Sequence, residues 1–345
     1  MNYKVTIADI AKELNITPAT VSRALSNHPA ISEKTKKSVL QTAKKLNYKR
    51  NRIASSLRSG KSHVIGVLIP SAEISFFGSI VHGIESMANL NGYTVLIYQS
   101  NETRDFEVKG IETFLGARVD GILASISKET RDYSHFIDIR DRGIPLVFFD
   151  RVKEELGIPS VVVDDYEGAY AATTHLICQG YTRVAHIAGQ DHIKIFSDRL
   201  KGYRAALEAH NIPFDETLVY QQGRVPIESG REATRHFLAM KKPPDAIFAV
   251  DDFTALGVIK QLKEENIEIP LDFGIVGFGN EMFGEHISPG LSTVDQQTVL
   301  MGKESFTLLM DLIQSKEGEE IKRDKITLAP HPIFRNSSKR NLDAG

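Results

Sequence analysis

Short runs of consecutive apolar residues, rich in Val and Ile, recur along most of this chain and constrain its fold more than any other feature. They fall at 63–70, 93–100, 119–126, 144–150, 160–164, 183–189, 245–250 and 273–278, with helical stretches between them. Each run is continuous rather than alternating, which predicts a strand buried on both faces. That arrangement belongs to parallel sheets with helices packed outside them. The 345 residues allow two such sheets, and more than one domain. Ligands of such sheets bind beyond the carboxyl ends of the strands. The rule selects Ser71 with the following Phe76 and Phe77, then Asp150, Asp251 and Asp252, and Gly279-Asn280-Glu281. Phe196 and Arg199 follow the run at 183–189 in a loop-to-helix stretch. Phenyl faces beside carboxylates and one arginine suit a polyhydroxylated ligand, because rings stack on apolar sugar faces and charged groups take paired hydroxyls. Competing readings stand beside each residue. Adjacent phenylalanines at a helix start can be core, an Arg199 ion pair can merely orient a cleft, and Asp252 reads as the cap of the next helix.

The first sixty residues follow a different pattern. Thr6 and Asp9 have capping-box spacing before the stripe Ile7, Ile10, Ala11, Leu14. The turn "NIT" (15–17) follows. Thr17 then caps a second helix, with Pro18 in its first turn, where a missing N–H costs nothing. Val21, Ala24 and Leu25 share its inner face, leaving Pro18, Ala19, Ser22 and Arg23 outside. Ser32 caps a third helix, "EKTKKSVLQTAKKLN", with Val39, Ala43 and Leu46 inward. Two short helices joined by a tight turn and braced by a third describe a helix-turn-helix. The second helix of that motif enters the major groove by its N-terminal end. Small residues there admit the backbone, Arg23 can reach a guanine edge or a phosphate, and Thr17, Thr20 and Ser22 can hold phosphate oxygens. A plain three-helix bundle is the alternative, but it leaves unexplained why this outer face lacks the Glu/Lys pairs of a merely solvated surface.

Charge distribution supports the first reading. Residues 1–62 hold 13 Lys/Arg against 3 Asp/Glu, a net of +10, so the remainder holds 29 against 41, a net of −12. A basic head on an acidic body suits a nucleic-acid-binding module attached to a soluble domain. No run approaches the roughly 18 apolar residues of a membrane span, and "MNYKVTIADI" is not the start of a signal peptide. A cytoplasmic protein is the expectation. The lone Cys178 excludes an internal disulfide and a cysteine metal cluster, and reads as a core filler. No GxSxG, HExxH or P-loop occurs, "GFGNEM" (277–282) lacks the third glycine of a dinucleotide fingerprint, and the 11 histidines have no metal-ligand spacing. His175 and His186 read as core or edge residues. Neither an enzyme nor a cofactor is expected.

The order "DIA … TVSRAL … ISEKT … LNY … NRIASSL" over the first sixty residues resembles the head of the lactose/galactose repressor family of bacterial transcriptional regulators. Later landmarks agree, among them "RVDGIL", "IPLVFFDR", "GYTRVAHIAG", "RLKGYRAAL", "AIFAVDDFTALGVIKQLKE" and "LSTVDQQ", so the resemblance spans nearly the whole chain. It implies a helix-turn-helix head at 1–49, a hinge helix and linker at 50–62, and an effector-binding and dimerisation body at 63–338. The body implied is an α/β fold of two doubly wound parallel-sheet subdomains, like the periplasmic sugar-binding proteins. One takes about 63–164 plus 295–324 and the other about 165–294 plus 325–338, with crossings near 163–166, 292–296 and 323–328. The resemblance further implies that Asn51 caps the hinge helix, with Ile53, Ala54 and Leu57 on one side, and that Leu57 is a minor-groove wedge that kinks a palindromic operator. A linker whose leucine packs on the body is the alternative. It maps effector contacts onto Phe76 or Phe77, Asp150, Arg199 and Asp251, and homodimerisation onto the body. Ser32 and Thr6 join the DNA-contacting set. The tail "KRNLDAG" is too short for a leucine heptad coil, so a tetramer is not expected.

Three positions depart from the family pattern. Arg50 replaces the proline that usually precedes the hinge. Gly279 stands where an effector-binding aspartate is normal, with Asn280 and Glu281 as replacements. Val225 sits where a ring-stacking aromatic is often found, which favours a sugar over a purine. The expected effector is a sugar or sugar derivative, with a nucleobase or nucleoside as the alternative. A solute-binding protein of the same body fold without DNA activity is the rival function.

Overall fold

The computed structural model describes residues 5–48, 61–73, 75–221, 223, 226–315 and 324–340. It divides into two compact units, Met1–Ser62 and His63–Gly345. Asn51, Ala54, Leu57 and Val225 lie outside the described residues, so the expectations placed on them stay expectations.

The first unit is three helices, α1 (Ile7–Leu14), α2 (Pro18–Leu25) and α3 (Glu33–Lys45). Their starts follow from the caps. Asp9 Oδ2 accepts from the Thr6 N–H at 2.8 Å, and the Thr17 and Ser32 hydroxyls accept from the N–H groups of Thr20 and Thr35. Asn15 ends α1 in the left-handed region (φ 48°), which asparagine tolerates better than most residues and which makes the turn tight. Ile10, Ala11, Val21, Ala24, Val39 and Ala43 form the buried core, with Leu14, Leu25 and Leu46 packed against it. The third helix ends two residues earlier than its sequence stripe suggests.

The second unit contains two parallel sheets. The first comprises β1 (Val64–Ile69), β2 (Thr94–Gln99), β3 (Gly121–Ala124), β4 (Leu146–Phe149), β5 (Ser160–Val163) and β11 (Lys325–Leu328), in the order β11-β5-β4-β3-β1-β2. The second is β7 (Val219–Gln221), β6 (Val184–Ala188), β8 (Ala246–Ala249) and β9 (Gly274–Val276), in that spatial order. All eight predicted runs contain a strand. Every residue of β3, β4, β5, β6, β8 and β9 is buried, as continuous apolar runs require. A separate antiparallel pair joins β10 (Thr293–Asp295) to β12 (His331–Ile333).

The chain passes between the halves three times. The first passage follows β5. The second runs from β10 into the helix Thr298–Gln314, which packs on the first half against Ser75–Leu90. That packing is backbone-close: a Cβ at Gly302 would lie 2.1 Å from the Ile80 carbonyl oxygen. The third passage corrects the expected one. Lys325–Leu328 pairs with Ser160–Val163, so the chain remains in the first half through Leu328 and crosses only before β12. The segment 325–328 therefore belongs to the first half. Among the described residues, no helix is long and apolar enough to cross a membrane.

Candidate functional site

In the head, the N-terminal turn of α2 presents the expected surface. Thr17, Pro18, Ala19 and Arg23 are exposed, Thr20 and Ser22 are half-buried, and Thr6 and Ser32 are exposed caps of the flanking helices. The Arg23 guanidinium has no partner among the described residues, leaving all its N–H donors available. The Thr17 and Thr20 hydroxyls lie 2.9 Å apart at the helix start, where the dipole favours an anion.

In the body, the loops after β1, β3, β4, β8 and β9 enclose a cavity of about 110 Å³ between the two halves. That is room for on the order of eight waters, the scale of a single sugar ring. Phe76, Phe77, Asp150, Phe196, Arg199, Asp251 and Glu281 all line it, as the strand-end rule predicts. Phe77 is also core, and meets Phe76 edge-to-face at 5.1 Å between centroids. Gly279 lines the cavity too, with φ +136°, a backbone conformation that an aspartate adopts only under strain.

Two expected residues point elsewhere. The Ser71 hydroxyl accepts the Glu73 N–H beside its own strand end. Asn280 donates to Asp295 (2.8 Å) and accepts from Arg335 (3.2 Å), so its amide braces β10 and the β9 loop rather than facing a ligand. The capping role falls to the other aspartate. Asp251, not Asp252, is the N-cap of the helix Asp252–Glu264, accepting the Thr254 N–H at 2.7 Å. Asp252 is fully buried and accepts the Thr293 hydroxyl and the Glu281 N–H, each at 2.7 Å. It ties β10 and the β9 loop to the helix. Burial, against the opposing pull of those two hydrogen bonds, raises its pKa to about 7. Cys178 is exposed at the end of its helix, not a core filler. His186 is buried and stacked on Phe248, and burial lowers its pKa to about 4, so it is a neutral core residue.

Arg199 is only 3% exposed and is held at four points. Its Nε donates to Asp165 (2.7 Å), Nη1 to the Val250 carbonyl (2.6 Å) and Nη2 to Gln296 (3.2 Å), while the plane lies 3.7 Å from the Phe278 ring centroid. The pairing reading and the ligand reading therefore meet in one residue: the ion pair fixes the guanidinium in the cavity wall. Burial raises the Asp165 pKa to about 6 despite Arg199. Asp150 sits at the end of β4 in the left-handed region (φ 61°), buried, with a pKa raised chiefly by burial. A non-glycine residue held there is strain that the surroundings must support.

Lys128, Arg151, Asp165 and Gln296 belong to the wall or its immediate support without having been singled out by sequence. Lys128 lies four residues past the end of β3 and Arg151 one residue past Asp150, so the rule that selects Asp150 reaches both. Several contacts bridge the halves: Ser75 donates to Glu281, His192 Nε2 meets the Lys128 carbonyl at 2.9 Å, and Lys128 Nζ lies 5.7 Å from the Phe196 centroid.

Comparison with known proteins decides the family. Residues 6–51 match the model of bacterial regulatory proteins of the lacI family, and residues 173–338 match a periplasmic binding protein-like domain. Catabolite control protein A of Priestia megaterium is 31% identical over 97% of this chain and 99% of its own. The chain belongs to the lacI family of bacterial regulatory proteins. The HTH-type transcriptional repressor PurR of Vibrio campbellii is 29% identical over 97% of this chain and 99% of its own. Among solved structures, the complex of the transcriptional regulator CelR with cellobiose aligns with a TM-score of 0.72 at 28% identity, covering 96% of this chain and 99% of that one. A lacI-family protein is a DNA-binding transcriptional regulator. These relatives are regulators rather than enzymes.

Proposed function

We propose that this lacI-family chain is a repressor that binds a palindromic operator as a homodimer, and that a small polyhydroxylated molecule, a sugar or sugar derivative, sets its DNA affinity from the cleft of the body. The observation that carries this reading is the cavity wall, where Phe76, Phe196 and Phe278 stand beside Asp150, Asp251 and Arg199 at the carboxyl ends of strands from both halves. Rings supply stacking surfaces and the charged groups supply paired hydrogen-bonding edges. A ligand that touches both walls binds the closed arrangement better than the open one, and only such a difference can shift the equilibrium that the head reads. The solved CelR relative, in complex with cellobiose, supports a sugar. The likeness to PurR supports a second reading, a nucleobase or nucleoside in the same cavity.

Fluorescence anisotropy on palindromes with a central CG step, over a salt series, tests the DNA half. Affinity should fall steeply with salt as counterions are released, and Leu57→Ala should weaken specific binding more than nonspecific binding. A thermal-shift panel of sugars, sugar derivatives and purine bases tests the ligand half, and a hit must change operator affinity. Indifference to every palindrome at low ionic strength, with and without hits, refutes the reading.

A further inference from the structure

The three cations of the cavity wall differ in one respect. Arg199 has its own carboxylate in Asp165 at 2.7 Å, and Arg151 has Glu102 at 2.7 Å, whose carboxyl Arg151 holds below the usual range against the opposing effect of burial. The Lys128 ammonium has no hydrogen-bond acceptor and no ion-pair partner within 4 Å among the described residues; it lies over the Phe196 ring, and the carboxylates of Glu102, Asp251 and Asp150 attract it only from farther away. Burial, with the nearby Arg151 charge adding to it, lowers the Lys128 pKa. An ammonium partly removed from water with its donors unmatched is costly.

Arg151 repeats the pattern in part. It is only 7% exposed, its Nη1 serves Glu102, its Nε is buried without a hydrogen bond at 3.8 Å from Asp150, and its Nη2 has no partner among the described residues. The loops carrying the two cations are joined by a hydrogen bond from the Ile126 N–H to the Arg151 carbonyl. Both cations stand on the first half's wall. On the second half's wall, Asp251 is engaged by the Thr254 N–H, Asp252 by Thr293 and Glu281, and Glu281 by Ser75. Burial also pushes Asp252 and Glu281 toward their neutral forms. The first half's wall thus offers cationic donors without acceptors beside Asp150, which accepts from Ser125, and the carboxyl groups of the second half's wall already hold protein donors. Arg151 also lines a larger polar cavity of about 330 Å³ beyond it, so a substituent leaving the ring on this side meets polar space rather than core.

We infer that the effector is an acidic monosaccharide, whose carboxylate or phosphate ester is held by Lys128 and Arg151 while its hydroxyls face the second half. The inference rests on the proposed sugar reading and narrows it. It makes Lys128 the specificity-determining residue for charge.

The test is calorimetric titration of the full chain with glucose and galactose, glucuronate and galacturonate, and the two hexose 6-phosphates. At least one anionic sugar should bind about tenfold or more tightly than its neutral parent, the scale of one charge-assisted hydrogen bond. Uronates favoured over phosphates, or the reverse, identify which anion the site takes. Lys128→Met should remove that preference, while Lys128→Arg should keep most of it. Neutral hexoses binding as tightly as their acids, or a Lys128→Met variant with an unchanged ratio, overturns the inference alone. Purine bases binding where no sugar does, or no binding by any of these probes, overturns the sugar reading and the inference together.

Discussion

Asp252→Asn makes the sharpest test of the cleft's construction. Asp252 is fully buried, and its pKa lies at about 7 against 3.8 for an ordinary aspartate. The raised value means that the folded state holds the proton more tightly than the unfolded chain does. The stability this gives is complete below the unfolded pKa and is lost as pH rises through about 7. The loss across that window is on the order of 4 kcal/mol, of which between about 2 and 3 kcal/mol falls between pH 5 and pH 8. Asparagine occupies the same volume. Its carbonyl can accept the Glu281 N–H, and its amide can donate to the Thr293 hydroxyl, which accepts as readily as it donates. The variant thus resembles the protonated aspartate at every pH, at the expense of a few tenths of a kcal/mol of helix-dipole stabilisation at the first turn. Thermal melts of the full chain and of Asp252→Asn, run from pH 5 to pH 8, should diverge progressively. The variant should melt several degrees higher at pH 8, taking about 2–4 °C per kcal/mol for a domain of this size. A difference in melting temperature that is constant across the range, or a variant that loses stability at pH 8, would refute the argument that Asp252 is buried with its charge largely uncompensated.

Arg199→Ala leaves Asp165 buried without its cation, which should cost about 3–5 kcal/mol by urea unfolding and abolish every thermal-shift hit; an unchanged hit removes Arg199 from the site. Arg23→Ala should lower operator affinity by about 1–3 kcal/mol if it reads a base edge, or shift the salt slope by about one counterion with no change in sequence preference if it holds a phosphate, and anisotropy on matched and mismatched palindromes separates the two. Ser75→Ala removes the hydroxyl that crosses the cleft to Glu281, so the ligand-free protein should show a larger radius of gyration in small-angle scattering and bind its ligand more weakly; identical scattering and affinity would mean that the bond does not favour closure.

The parts of this molecule that were legible in sequence are those decided locally. Thr6, Thr17 and Ser32 announce three helix starts because a cap acts on N–H groups two or three residues ahead. The buried strands announce themselves because two-sided burial demands apolar residues at every position. The strands Val219–Gln221, Thr293–Asp295 and His331–Ile333 are three residues each and, unlike Gly274–Val276 inside the apolar run 273–278, include polar or proline residues, so they owe their conformation to a partner elsewhere. The same distinction separates Asp251 from Asp252. Adjacent aspartates at a helix start are equivalent by spacing, and only the Thr293 hydroxyl and the Glu281 N–H, brought from distant segments, make Asp252 the buried one. Asn280 fails for the same reason: nothing local announces that Arg335 and Asp295 claim its amide. Lys128 carried a usable signal in its place four residues past a strand, but only the structure reveals that its ammonium holds no hydrogen-bond acceptor.

That distinction bears on how the cleft can switch. Most polar groups of the wall are already satisfied by the protein: Arg199 by Asp165, Val250 and Gln296, Asp251 by Thr254, Asp252 by Thr293 and Glu281. Such a wall is rigid, and a ligand adds to it rather than reorganising it. The groups that change their surroundings when the halves part include the Ser75 hydroxyl against Glu281, the His192 ring against the Lys128 carbonyl, Lys128 over Phe196, and Lys194 near Glu154 at 4.0 Å. At roughly 0.5–1.5 kcal/mol for each net hydrogen bond, these favour closure by only a few kcal/mol without a ligand. Moving such an equilibrium from one state to the other takes a differential affinity of about 5 kcal/mol when it must go from 1:99 to 99:1. An effector can reach that figure only by engaging both walls, and the unmatched donors of Lys128 and Arg151 are the contacts the protein has left for it to make.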